Sequence, residues 1–354
     1  MRIDANTKGA YVIAPTPFTD QGEVDLDSID RLVDGYLQAG AAGITILGIM
    51  GEATKLLPDE SQAITERFLR RVEGRVPVVV GVSAPGMLPM VKRAHASMAA
   101  GAGGVMLAPA QGLKTDAAVE AYMVEAAEAL GPDVPICFQD YPLTTGVNFT
   151  VDTYQRIVER CPSIVMFKHE DWPGLAKLGE IRKRELQGKV RRVSILTANG
   201  GLFLASEMHL GADGCMTGYA FAEALVGICR YFEDGQAEKG EDLFDAHLPL
   251  IRLEQQPGVG LAIRKEIYRR RGLIASAAIR RPGPKLTPSD VAELDRQLAR
   301  LARRLRELGE PLPSGLASGS APRCSVKEKS TFCSSASMGA SAALGLTLDA
   351  LLAG

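Results

Sequence analysis

Eight short apolar runs alternate with amphipathic stretches over roughly the first 230 residues, and this alternation narrows the folds open to the chain. The strand candidates are residues 11–15, 44–48, 78–82, 105–108, 136–140, 164–168, 193–197 and 215–218. Most carry no polar face, the mark of strands covered by helices on the outside and by other strands' side chains within. The stretches between them show helical spacing. Leu26, Ile29, Leu32, Val33, Tyr36 and Leu37 share one face, behind Asp25 or Asp27 as N-cap. Three helix-to-strand junctions repeat one pattern: Gly40-Ala41-Ala42-Gly43, Gly101-Ala102-Gly103-Gly104 and Gly211-Ala212-Asp213-Gly214. These glycines precede strands rather than helices, so they read as αβ turns and not as phosphate loops. About eight βα units predict an α/β fold, a TIM (β/α)8 barrel over residues 1–230.

Further helices follow at residues 222–234, 237–253 and 259–271, and Thr287-Pro288-Ser289-Asp290 caps another over 291–308. Residues 231–310 are therefore expected to form a C-terminal helical extension packed on the barrel. From 311 to 354 the composition turns to Ser, Ala, Gly and Pro, with Cys324 and Cys333 included, and predicts a disordered tail.

Charge is almost balanced, 40 Lys and Arg against 42 Asp and Glu, which argues against a nucleic-acid or membrane-surface partner. No apolar leader opens the chain and no run is long enough to span a bilayer, so a cytoplasmic location is expected. Cys137, Cys161, Cys215 and Cys229 are scattered through core-like segments as reduced thiols. The four histidines form no metal-ligating group, and no metal or other cofactor is expected.

Lys168 ends the apolar run that begins at Ile164. A buried ammonium is costly unless paired, and burial favours the neutral amine, a nucleophile toward carbonyl carbon. A lysine that merely snorkels to water or pairs with Glu170 is the plainer reading. Functional groups in such barrels gather at the C-terminal ends of the strands. Two other ends carry chemistry: Gly48-Ile49-Met50-Gly51-Glu52, a tight turn whose amides suit an anion, and Asp140-Tyr141-Pro142-Leu143-Thr144-Thr145.

The segments Ala14-Pro15-Thr16-Pro17-Phe18, Gly48-Ile49-Met50-Gly51-Glu52-Ala53, Phe167-Lys168-His169-Glu170 and Gly211-Ala212-Asp213-Gly214-Cys215-Met216-Thr217-Gly218 come in one order and spacing. In them the chain resembles the dihydrodipicolinate synthase and N-acetylneuraminate lyase family of Schiff-base aldolases and dehydratases, from about residue 9 to about 308. The resemblance implies that Lys168 forms an imine with pyruvate or a longer 2-oxo acid. It implies that Gly48, Ile49, Met50 and Gly51 hold the acid's carboxylate, and that Met216 and Thr217 line the floor. It also implies a homotetramer or dimer as the assembly and a lyase as the activity, by aldol cleavage or by dehydration.

The chain departs from the family pattern in ways that bear on substrate. Ile49 and Met50 stand where hydroxyl residues are usual, so the carboxylate relies on backbone donors or on a hydroxyl elsewhere, such as Thr16. The family's relay tyrosine falls on Phe138 counted from the strand start, or on Gln139 counted back from Pro142. Tyr141 or Asp140 is then the expected proton carrier. The loop 109–114 has no tyrosine, and Thr144 takes the place of the synthases' substrate-binding arginine. A divergent member acting on a hydroxylated 2-oxo acid is expected rather than a true dihydrodipicolinate synthase. The alternative is a catalytically impaired barrel that binds 2-oxo acids as a sensor or regulatory protein.

Overall fold

The computed structural model describes residues 1–316 apart from Pro173; of the tail expected from 311 to 354, residues 317–354 lie outside the described residues. The apolar runs form β1 (Gly9–Ile13), β2 (Gly43–Ile46), β3 (Val78–Gly81), β4 (Gly104–Leu107), β5 (Ile136–Asp140), β6 (Ile164–His169), β7 (Ser194–Thr197) and β8 (Gly214–Thr217). All pair in parallel and in sequence order, and β1 closes on β8 to complete the barrel. Two strands, β1 and β2, stop two residues earlier than expected. Residues 14–18 carry two prolines, which lack the N–H a ladder needs, and Leu47 turns β2 aside at a φ of 55°.

The barrel helices are α1 (Leu26–Gln38), α2 (Pro58–Val72), α3 (Met87–Ala99), α4 (Asp116–Leu130), the one-turn α5 (Pro142–Thr145), α6 (Val151–Arg160), α7 (Leu175–Leu186) and α8 (Leu204–His209). Of the two candidate caps on α1, Asp25 fills the role, accepting from the Ser28 amide at 3.0 Å. Beyond β8 lie α9 (Ala222–Glu233), α10 (Ala237–Glu254), α11 (Gly260–Arg270) and α12 (Pro288–Leu308). Thr287 caps α12 in a reciprocal box with Asp290.

Alternation along the strands sorts side chains into two layers. Tyr11, Ile13, Val79, Met106, Cys137, Met166, Leu196 and Met216 fill the barrel interior. Gly43 makes room for the Tyr11 ring, which occupies the space a Cβ there would need. The opposite faces, with Val12, Ile44, Val80, Val105, Phe138 and Phe167 among them, pack against the helices. A separate apolar cluster joins α9–α12 to Ala10 and Cys215, and Leu312 and Leu316 pack into it. Residues 311–316, expected as the start of the tail, form no helix but pack on the helical extension through these two leucines. No helix among the described residues is long and apolar enough to cross a membrane.

One irregularity sets the chemistry. Ile136 pairs with Ile164 but Cys137 pairs with Met166, so Val165 is an extra residue in β6. Beyond this bulge Gln139 sits beside Lys168 and Asp140 beside His169.

Candidate active site

Lys168 shares the inward face of β6 with Met166 and stands above the packed interior at the C-terminal end of the strand, only 3 % exposed. Its Nζ lies 3.0 Å from Glu170 Oε1, on the same face two residues on. Gln139 Nε2 donates to the other Glu170 oxygen at 2.7 Å. A buried ammonium and a buried carboxylate are thus paired, and the carboxylate is held in place by an amide from the neighbouring strand. Lys168 thus pairs with Glu170, as the plainer sequence reading allowed, and does not snorkel to water.

Tyr141 follows Gln139 by two residues and caps α5. Burial and then the Glu170 carboxylate raise its phenol pKa above the ordinary value, while Thr144 and Arg264 act in the opposite sense. By strand alternation Tyr141 falls on the same side of β5 as Gln139. Thr144 is exposed beside it on α5.

Asp140 is placed otherwise. It shares the outward face of β5 with Phe138, is completely buried, and meets Lys177 of α7 at 2.7 Å. Lys177 also reaches Asp171 at 3.0 Å. His169 points the same way, its Nε2 at 2.8 Å from the Gly174 carbonyl and its Nδ1 at 3.7 Å from Asp140. Strand alternation puts these groups behind the sheet, so Asp140 does not face Lys168 and its expected role as proton carrier is corrected. Its pairing makes it a structural anchor for α7. Replacing Lys177 by Met is expected to destabilise the fold by about 3–5 kcal/mol, because a buried carboxylate loses its cation. Urea unfolding of the variant checks this, and a change below about 1 kcal/mol would remove the anchor role.

Glu207 of α8 joins the same outer layer. Burial raises its carboxyl pKa from 4.5 to about 7, with Thr197 and His169 opposing, and one of its oxygens has no partner among the described residues. Burial also opposes protonation of His169, but Asp140 and the Gly174 carbonyl outweigh it and raise its pKa. Both shifts act in one direction. Between pH 4.5 and 7 the unfolded Glu207 ionises while the folded one resists, and His169 loses its bound proton as pH rises through its raised pKa. Stability should therefore fall across this window. Glu207→Gln should flatten the fall and raise stability at pH 8 by up to about 3 kcal/mol, with little effect at pH 4. Thermal melts of both proteins across that range test it.

The glycine turn is braced from two sides. Thr16 Oγ1 donates to the Gly51 carbonyl at 2.6 Å, so its proton is committed to the turn and is not offered to a ligand carboxylate. Glu52, at a φ of 53°, accepts from Lys265 at 2.6 Å, Lys55 at 2.9 Å and the Arg280 amide at 3.1 Å. The amides of Ile49, Met50 and Gly51 have no acceptor among the described residues. Ile49 is 56 % exposed, whereas Met50 turns inward over Gly218. Met216 belongs to the interior apolar cluster. Thr217 points outward toward Gly201, since neighbours on a strand cannot share a face.

Gln139 and Arg264 were not singled out from sequence. Gln139 could have been found by counting twos along β5 from Cys137. Arg264 falls at helical spacing with Gly260, Ile263, Ile267 and Tyr268, a charge on the buried face of α11.

A closed parallel barrel that sets a buried amine and carboxylate at the C-terminal end of one strand, held by an amide from the next, is of the (β/α)8 class. The chain belongs to the dihydrodipicolinate synthetase family, whose sequence profile matches residues 6–301. It is 32 % identical over 305 residues to the L-2-keto-3-deoxyarabonate dehydratase of Azospirillum brasilense, covering 85 % of this chain and 95 % of that one. It is 30 % identical over 308 residues to the 4-hydroxy-tetrahydrodipicolinate synthase of Sorangium cellulosum, covering 84 % and 95 %. The crystal structure of dihydrodipicolinate synthase from Rhodopseudomonas palustris superimposes with a TM-score of 0.83 at 48 % identity, covering 85 % of this chain and 99 % of that one.

Proposed function

We propose that the protein is a lyase that forms a Schiff base between Lys168 and a deoxy-2-oxo sugar acid and eliminates water from it. The observation that carries this reading is the buried Lys168–Glu170 pair, fixed by Gln139 at the mouth of the barrel. Glu170 takes a proton from the Lys168 ammonium, and the freed amine attacks the C2 carbonyl. Glu170 returns that proton to the C2 oxygen, which leaves as water with a second proton from the amine nitrogen; a protonated imine remains, an electron sink for the carbon next to it. Glu170 then accepts the C3 proton, and the electrons left on C3 expel the C4 hydroxyl. Tyr141, kept protonated by its raised pKa, supplies the proton with which that hydroxyl leaves as water. Hydrolysis of the imine returns the lysine. No metal or nucleotide is called for in any step.

The relatives' names divide between a synthase and a dehydratase, and the residues favour the second. A loop without a tyrosine at 109–114 and a threonine at 144 suit a neutral hydroxylated chain better than a second, anionic substrate. The test is incubation with a panel of 3-deoxy-2-oxo sugar acids. Expected is a product lighter by one water with no release of pyruvate. Pyruvate release would make the enzyme an aldolase, and consumption of none of the panel would overturn the substrate class.

A further inference from the structure

We propose that Arg264 completes the carboxylate site, supplying the charged donor that the Ile49-Met50 turn lacks; this rests on the Schiff-base reading above. Arg264 projects from α11 toward the barrel mouth and is only 6 % exposed. A guanidinium taken from water requires good acceptors for its donors. Two of its nitrogens have them. Nε meets Glu254 Oε2 at 2.5 Å, and Nη2 donates at 3.1 Å to the amide oxygen of Gln255, which also accepts from Gly200 N. The third, Nη1, meets only the Met50 thioether among the described residues, at 2.7 Å, a weak acceptor beside a full positive charge.

The place of this under-used donor matters. A Cβ at Gly218, which continues the inward face of β8 beyond Met216, would collide with Met50 Sδ and stand 3.1 Å from Arg264 Nη1. Glycine at this position leaves the thioether and the guanidinium room over the barrel mouth. The partnerless amides of Ile49, Met50 and Gly51 belong to the same turn as that thioether. An entering carboxylate displaces Met50 from Nη1 and gains a charge-assisted bond that a neutral group cannot match. The turn amides orient the carboxylate, and Arg264 selects for its charge.

The test compares pyruvate with its neutral amide, pyruvamide, by the concentration of each that half-saturates adduct formation under borohydride, in wild type, Arg264→Gln and Arg264→Lys. Expected is a rise of about 10–100-fold for pyruvate in Arg264→Gln, with less than about 3-fold for pyruvamide. Arg264→Lys keeps a cation for Glu254 but loses the fork, and should raise the pyruvate value about 10-fold with pyruvamide unchanged. This second variant decides the matter if Arg264→Gln does not fold. Equal shifts for both ligands, or none in folded protein, would make Arg264 a structural partner of Glu254 and overturn the proposal. Absence of any adduct in wild type would overturn the Schiff-base reading itself, and the proposal with it.

Discussion

Lys168→Ala should leave the barrel folded and lower turnover of the sugar-acid substrate by ~10⁴-fold or more, since the group that forms the imine is gone. The fold should tolerate the change better than most buried-charge deletions. Glu170 loses its cation, but it keeps the Gln139 amide at 2.7 Å and can take up a proton. It also lies at the open end of the barrel, above the interior cluster rather than within it. A modest loss of stability with total loss of turnover is therefore the expected pattern. An Ala variant that retained a tenth of wild-type turnover would mean that Lys168 is only a counter-ion for Glu170. Its burial would then need another explanation.

Glu170→Gln separates two roles that one salt bridge could have. If Glu170 only holds the lysine charged, removing its charge favours the neutral amine, and imine formation at neutral pH should proceed as well as before or faster. If Glu170 is the base that takes protons from the amine and from C3, the variant should still trap pyruvate at saturation. Its kcat should nevertheless fall by about 10²–10⁴-fold. Gln is close in shape to Glu and can still bond Gln139, so packing is nearly unchanged and the loss reports proton transfer. Exchange of the methyl protons of pyruvate with solvent gives a second readout and should slow in parallel. Unchanged exchange in the variant would pass the role to Tyr141 alone.

The barrel itself is legible in the chain because its causes are local. Apolar runs at regular intervals, an N-cap at Asp25 and glycines at Gly40, Gly101 and Gly211 mark strands, helices and turns without reference to distant residues. The site is legible only where chemistry and burial coincide in one stretch, as at Lys168. Side-chain direction was harder to read. Met216 and Thr217 were both assigned to the floor, yet a strand shows only one of two neighbours to the interior. Sequence offers Asp140 and Tyr141 alike as proton carriers; the β5–β6 pairing puts Gln139 beside the lysine and Asp140 behind the sheet on Lys177. That pairing depends on the bulge at Val165, and nothing in an unbroken apolar run announces a bulge. Arg264 is more than 90 residues from Lys168 in sequence, and only the packing of α11 on the barrel brings it to the mouth.

The most direct measurement is the intact mass of the protein after borohydride reduction with and without pyruvate, for wild type and for Lys168→Ala. A pyruvyl adduct on wild type, mapped to Lys168 by peptide mass and absent from the variant, is the predicted result. Folded wild-type protein with no adduct from pyruvate or from longer 2-oxo acids would contradict imine chemistry at this lysine and leave a barrel that binds without reacting.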